Sequence, residues 1–256
     1  MVHTAIDGNW RRTYDYAEQS LLESSLVNNR LSHTNSGTIT ETYRYDEQGN
    51  TVAMPHLKTL GWDHEDQLQT IDLNGGGRAY YLYDTAGRRV RKVVERQDGT
   101  LQKERVYIGG YEVYREYANG GQVVANERRT LHVVDDKKRV ALVETATVKD
   151  SGQIERPTLL LRYQFHNHLE STALELDEVG AIVSYEEYYP FGGTSYLAGR
   201  GDIEVSLKRY RFTDKERDEE SGLYYFGARY YAPWLGRWTS CDPAALVDGT
   251  NVYRYV

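Results

Sequence analysis

The chain has 256 residues, with 31 Lys and Arg against 38 Asp and Glu, for a net charge of −7. This length can bury one large core or two modest ones, and a mildly acidic chain without a basic block argues against nucleic acid as the main partner. No run of about 18 apolar residues offers a membrane span, and a single cysteine, Cys241, excludes intrachain disulfides and cysteine-built metal clusters.

In chain order, the first 16 residues carry no apolar stretch of the kind a secretory signal needs. They offer no clear entry into a first element and read as a cut into something longer. A short helical turn is expected near Tyr16 to Leu22. A self-similar unit then begins with Tyr43-Arg44-Tyr45-Asp46, closed by Gly49-Asn50. Leu60-Gly61-Trp62-Asp63 is a degenerate copy, Tyr81-Leu82-Tyr83-Asp84 with Gly87-Arg88 a clear one, and Leu174-Glu175-Leu176-Asp177 with Gly180-Ala181 a weaker one. Residues two apart share a face of a strand, so Tyr-x-Tyr sets two rings side by side. Asp at position i and Gly at i+3 mark a turn whose glycine takes the left-handed conformation. Each unit is therefore a β-hairpin, and units with small cores of their own must stack. Further turn signals stand at Asp98-Gly99, Asn119-Gly120-Gly121 and Asp150-Ser151-Gly152, between runs of period-2 alternation. The whole reads as all-β.

Helix is confined to a connection, with Thr213 to Glu216 as a capping-box candidate ended by Gly222. Gly193 to Gly201 reads as a surface loop, and no composition break marks a domain boundary. The 23 tyrosines against 4 phenylalanines suit rings lying along a half-wet β surface with their hydroxyls at water or a neighbour. Aromatic platforms beside acids also suit carbohydrate, although repeated tyrosines at strand spacing more commonly form wall and core. His166 and His168 are spaced as a metal pair without a third ligand, so no metal and no cofactor is expected. Glu216, Asp218, Glu219 and Glu220 read as a solvated face. Cys241, with no assigned histidine base, reads as a small buried residue rather than a nucleophile.

Residues 222–243, GLYYFGARYYAPWLGRWTSCDP, place seven aromatic residues around two arginines and end at Asp242-Pro243. Asp before Pro is commonly a turn or cap residue, and Arg229 can pair with a carboxylate or stack on Tyr230 or Trp238. Asp248-Gly249 reads as a turn.

The Tyr-x-Tyr-Asp units together with the closing segment resemble the RHS (YD-repeat) family, which includes Rhs polymorphic toxins, C subunits of Tc insecticidal toxins and the teneurin YD shell. The resemblance is carried by Tyr185 to Gly192, Tyr210-Arg211-Phe212-Thr213, Glu220 to Tyr225, Ala228-Arg229-Tyr230-Tyr231, Gly236-Arg237-Trp238, Asp242-Pro243 and Asn251 to Val256. It implies hairpin repeats over 1–162 forming part of a spiral-sheet shell, and an RHS-repeat-associated core segment over 163–256 acting as a plug. It further implies that the shell encloses a toxic C-terminal domain of the same polypeptide, freed by aspartate-dependent self-cleavage, in a protein secreted or delivered outside the bacterium. Other toxin-complex or delivery subunits are the implied further partners. By resemblance Asp242 matches one catalytic aspartate and Arg229 an arginine beside it. Two close carboxylates resist ionising together, so one can act as acid while the other activates water. The family's second aspartate and its Gly-Leu cleavage point would fall beyond Val256, so cleavage by these residues alone is not expected. Glu170, Asp214 and Ala245 stand where the family commonly has glycine. A carbohydrate- or receptor-binding module and a two-carboxylate hydrolase are the alternatives. An incomplete shell would expose strand edges and rings, which predicts self-association.

Overall fold

The computed structural model describes residues 2–4, 11–20, 23–136, 138–199, 208–247 and 249–255. An N-terminal sheet takes β1 (Val2–Thr4), β2 (Arg11–Asp15), β3 (His33–Ser36) and β4 (Ile39–Thr42) in sequence order, and β5 (Arg44–Tyr45) pairs with β6 (Thr51–Ala53). The main sheet has 13 strands. It begins with β7 (Thr59–Trp62), β8 (Leu68–Asp72), β9 (Arg78–Tyr83), β10 (Arg89–Glu95), β11 (Leu101–Ile108) and β12 (Tyr111–Ala118). It continues through β13 (Val123–Asp135), β14 (Lys138–Lys149), β16 (Leu159–His166), β17 (Thr172–Leu176), β18 (Ile182–Tyr188) and β19 (Thr194–Gly199), while β15 (Gly152–Gln153) pairs only with β14. A last small sheet joins β20 (Glu216–Arg217), β21 (Tyr224–Tyr225), β22 (Tyr230–Ala232) and β23 (Arg237–Trp238). All described strand pairings are antiparallel and each sheet follows chain order, as stacked hairpins require.

The repeat unit is a turn-making device. Asp84 accepts the Ala86 and Arg88 amides through Oδ1, both at 2.9 Å, and its carbonyl accepts Gly87 N–H at 2.9 Å. Gly87 sits at φ +72°, a conformation that costs glycine little. Asp177 repeats the pattern with the Val179 and Ala181 amides and Gly180 at φ +79°. In the degenerate copy Asp66 takes the left-handed position at φ +58°, which Asp tolerates better than most residues.

The two faces of the main sheet differ in polarity. At β7 to β9 the covered face is apolar, with Leu60, Ile71, Ala79 and Tyr81 buried, and β10 adds Val94 beside the first buried cations, Arg89 and Lys92. Further along it turns charged, with Arg105, Glu112, Glu144, Arg162, Glu175 and Glu186 all buried; Arg105, Glu112 and Glu186 pair there with residues 208–220. The opposite face is open and apolar. Along β16, Leu159, Tyr163 and Phe165 are exposed while Arg162 and Gln164 are buried. Register continues the open face across Leu131 and Val133 on β13, Ile182 and Tyr185 on β18 and Tyr196 on β19.

Three expectations are corrected here. Thr213 to Glu216 is no helix but a single 3₁₀ turn over Phe212–Asp214, with Thr213 at φ +47°. Glu216 is drawn instead into the buried charge network and enters β20. Gly193 to Gly201 is no loop over most of its length, since Thr194–Gly199 pair with β18 as an edge strand. Residues 16–20 are extended, with an isolated bridge between Gln19 and Val27, and Leu21 and Leu22 lie outside the described residues.

Candidate functional site

Residues 208–220 dock on the sheet through charge. Glu216 accepts Arg89 Nη2 at 2.7 Å, Tyr107 Oη at 2.9 Å and Arg209 Nη1 at 3.1 Å. Asp218 lies 2.8 Å from both Arg89 Nη1 and Lys92 Nζ, and Lys92 reaches Glu220 at 3.1 Å. Glu112 meets Arg105 at 3.0 Å, Arg209 at 2.8 Å, His132 at 2.9 Å and the Tyr210 hydroxyl. Arg139 pairs with Asp214 and donates to His132 Nδ1 at 2.9 Å. Burial disfavours charge on Glu216, and Arg89, Lys92 and Arg209 overcome it, holding the carboxyl down at about 2. Burial dominates at Asp218 instead, and raises it. The expected solvated acidic face is therefore overturned for Glu216, Asp218 and Glu220, which are buried against cations; Glu219 alone of the four reaches water, beside Lys103 at 3.3 Å.

The last sheet carries Arg229 and Asp242. The β21–β22 turn, with Gly227 at φ +87° and Phe226 N–H on Arg229 O at 3.0 Å, places Arg229 directly before β22. The β22–β23 register sets Tyr231 opposite Trp238, and Thr239 N–H reaches Tyr230 O at 2.9 Å, bringing the chain back beside Arg229. Arg229 Nη2 then lies 2.9 Å from Asp242 Oδ2, with both side chains about six-sevenths buried at 15% and 13% exposure. The Arg229 guanidinium stands 4.1 Å from the Trp238 ring centroid. Asp242 Oδ1 accepts the Ala244 amide at 2.9 Å, and its carbonyl accepts Ala245 N–H at 2.9 Å. The turn role and the ion-pair role of Asp242 thus coexist, one on each carboxylate oxygen.

The first repeat turn anchors this segment from the far end of the sequence. Tyr253 Oη donates to Gly49 O at 2.7 Å, Cys241 Sγ lies 3.5 Å from Gln48 O, and Thr51 N–H reaches Thr239 O at 2.7 Å. Cys241 is half-buried rather than buried, and it also contacts the Tyr253 hydroxyl at 3.4 Å. Asp248 lies outside the described residues. The two histidines part company: His166 ends β16, with Nε2 3.8 Å from Asp214, while His168 is exposed in the following turn. Of the tyrosines on which a sugar platform would rest, Tyr43 is buried in the core, while Tyr83 packs half-buried against it with its hydroxyl on Leu68 O and the Tyr230 hydroxyl.

The sequence singles out Arg229 and Asp242, and Trp238 as one of the rings on which Arg229 could stack, but the buried network is not foreseen from it. A signal for the network exists in the strands, where Arg105 and Glu112 take positions that period-2 alternation assigns to the same face as the core residues.

No family model matches the chain. It is 34% identical over 230 residues to toxin subunit YenC1 of Yersinia entomophaga, covering 83% of this chain and 22% of that protein. It is 27% identical over 243 residues to the tRNA nuclease WapA of Bacillus subtilis strain 168, covering 93% and 9%. The crystal structure of TcdB2-TccC3 matches with a TM-score of 0.72 at 29% identity, over 96% of this chain and 13% of that one. The chain thus spans about a fifth of the toxin subunit it matches, and less of the others.

Proposed function

Since the chain belongs to the RHS-type toxin family that includes the Tc toxin C subunits, we propose that it is a shell segment of a longer toxin and encapsulates a toxic C-terminal domain of the same polypeptide. The observation that carries this reading is the polarity of the main sheet. Its charged face is covered and internally paired, while its apolar face is left open over β13 to β19. A wall that must hold a partly folded chain needs an apolar surface facing the lumen rather than a dry core. The open edge strands β7 and β19 suit continuation of the sheet by neighbouring shell strands.

In the intact protein Asp242 and Arg229 serve aspartate-dependent self-cleavage. Arg229 orients Asp242 through their ion pair, and a second carboxylate completes the acid–base pair. Residues 1–162 supply hairpin wall and 163–256 the core-associated segment. Association with other toxin-complex subunits is supported by the likeness to TcdB2-TccC3, and delivery outside the producing cell by the likeness to toxins. Intact-mass measurement on the longer polypeptide tests the cleavage reading: two pieces are expected for the unaltered protein and one for Asp242→Asn. Two pieces from both would remove Asp242 from the mechanism. The encapsulation reading expects the two pieces to co-elute in size exclusion after cleavage.

A further inference from the structure

We propose that Trp238 is a positioning residue for Asp242 and acts through the Arg229 guanidinium; the proposal rests on the self-cleavage reading above. Arg229 Cζ stands 4.1 Å from the indole centroid while its Nη2 lies 2.9 Å from Asp242 Oδ2. A planar guanidinium lying on an indole face loses its freedom to turn, so its fork stays aimed at the carboxylate. The indole is itself immobilised. The Trp238 backbone N–H bonds Tyr253 O at 3.0 Å and fixes the strand that carries the ring, the Tyr231 ring packs edge-on to the indole at 5.5 Å, and the Phe226 ring meets it edge-on at 5.0 Å and 88°. With Asp242 Oδ1 already taken by the Ala244 amide, Oδ2 is the oxygen whose direction Arg229 sets. Trp238 fixes Arg229, and Arg229 fixes Oδ2.

Trp238 also belongs to the aromatic cluster around Phe212, Tyr231 and Tyr255, so a purely structural role must be separated. Phe226 is the control: it shares the cluster and packs on Trp238, and its hydrogen bond to Arg229 runs backbone to backbone, which Phe226→Leu keeps. The first arm uses this chain. The Arg229 Nε–H resonance should be displaced by the indole ring current, should return to an ordinary position in Trp238→Leu, and should stay displaced in Phe226→Leu. An Arg229 resonance indifferent to Trp238→Leu overturns the proposal. The second arm measures single-turnover self-cleavage in the longer polypeptide. Trp238→Leu should slow it about tenfold, and Trp238→Phe should restore most of the rate because a ring face remains. Equal slowing by Phe226→Leu and Trp238→Leu also overturns it. If the unaltered polypeptide does not cleave, the self-cleavage reading fails, and the resonance of Arg229 still decides whether Trp238 positions it.

Discussion

Glu170, Asp214 and Ala245, the three residues expected to stand where the family has glycine, sit at φ +60°, +53° and +57°. The backbone has kept the left-handed turns and the side chains carry the strain. Ala245 is exposed and has no polar side chain to offset the strain, so Ala245→Gly should stabilise by about 1 kcal/mol, visible as a higher urea midpoint. Asp214→Gly should not stabilise, because it breaks the ion pair with Arg139. Gly49 is the opposite case. A Cβ there, at φ +95°, would stand 2.6 Å from both Cys241 Sγ and the Tyr253 hydroxyl. Gly49→Ala should destabilise by roughly 2 kcal/mol and accelerate thiol labelling of Cys241, because the contacts that shield the sulfur are pushed apart. An unchanged labelling rate would detach the first repeat turn from the Asp242 segment.

At the scale of elements, β20 is seated by ions. Glu216 has a folded carboxyl held down at about 2 against an ordinary 4.5. A depressed carboxyl contributes stability that is present above its unfolded value and lost as pH falls through the folded one. The loss should therefore run from about pH 4.5 down to about 2, and its size is on the order of 3 kcal/mol. Asp218, raised by burial, works in the opposite sense and blunts the trend. Glu216→Gln should lower the melting temperature at neutral pH and flatten its fall on acidification; an equally steep acid loss would place the effect elsewhere. Hairpin positions are legible in the sequence because Asp and Gly three apart fix both the turn and the phase of the strands that flank it. The charge network is not legible, because each member looks like an ordinary surface residue until distant strands place an opposite charge beside it. The same holds for Thr213 to Glu216, whose capping-box pattern loses to the pull of Arg89 and Arg209 on Glu216. Arg229 and Asp242 are found from the sequence by resemblance, and their pairing waits on the β21–β22 and β22–β23 turns.

At the scale of the whole molecule, the open apolar face governs behaviour. Tyr163 and Phe165 are 42% and 50% exposed on a strand whose buried side holds Arg162 and Gln164. The isolated chain should self-associate with rising concentration, and Phe165→Glu should shift light-scattering mass toward the monomer without loss of melting temperature. The central claim is that this face lines a lumen, and one labelling experiment addresses it directly. In a Cys241→Ser background, Phe165→Cys is treated with a maleimide on a large polymer, in this chain and in the longer polypeptide. The account predicts rapid labelling in the isolated chain, at dilutions where light scattering shows it monomeric, and protection in the longer polypeptide. Equally rapid labelling in both would show that the face meets solvent and contradict the shell reading.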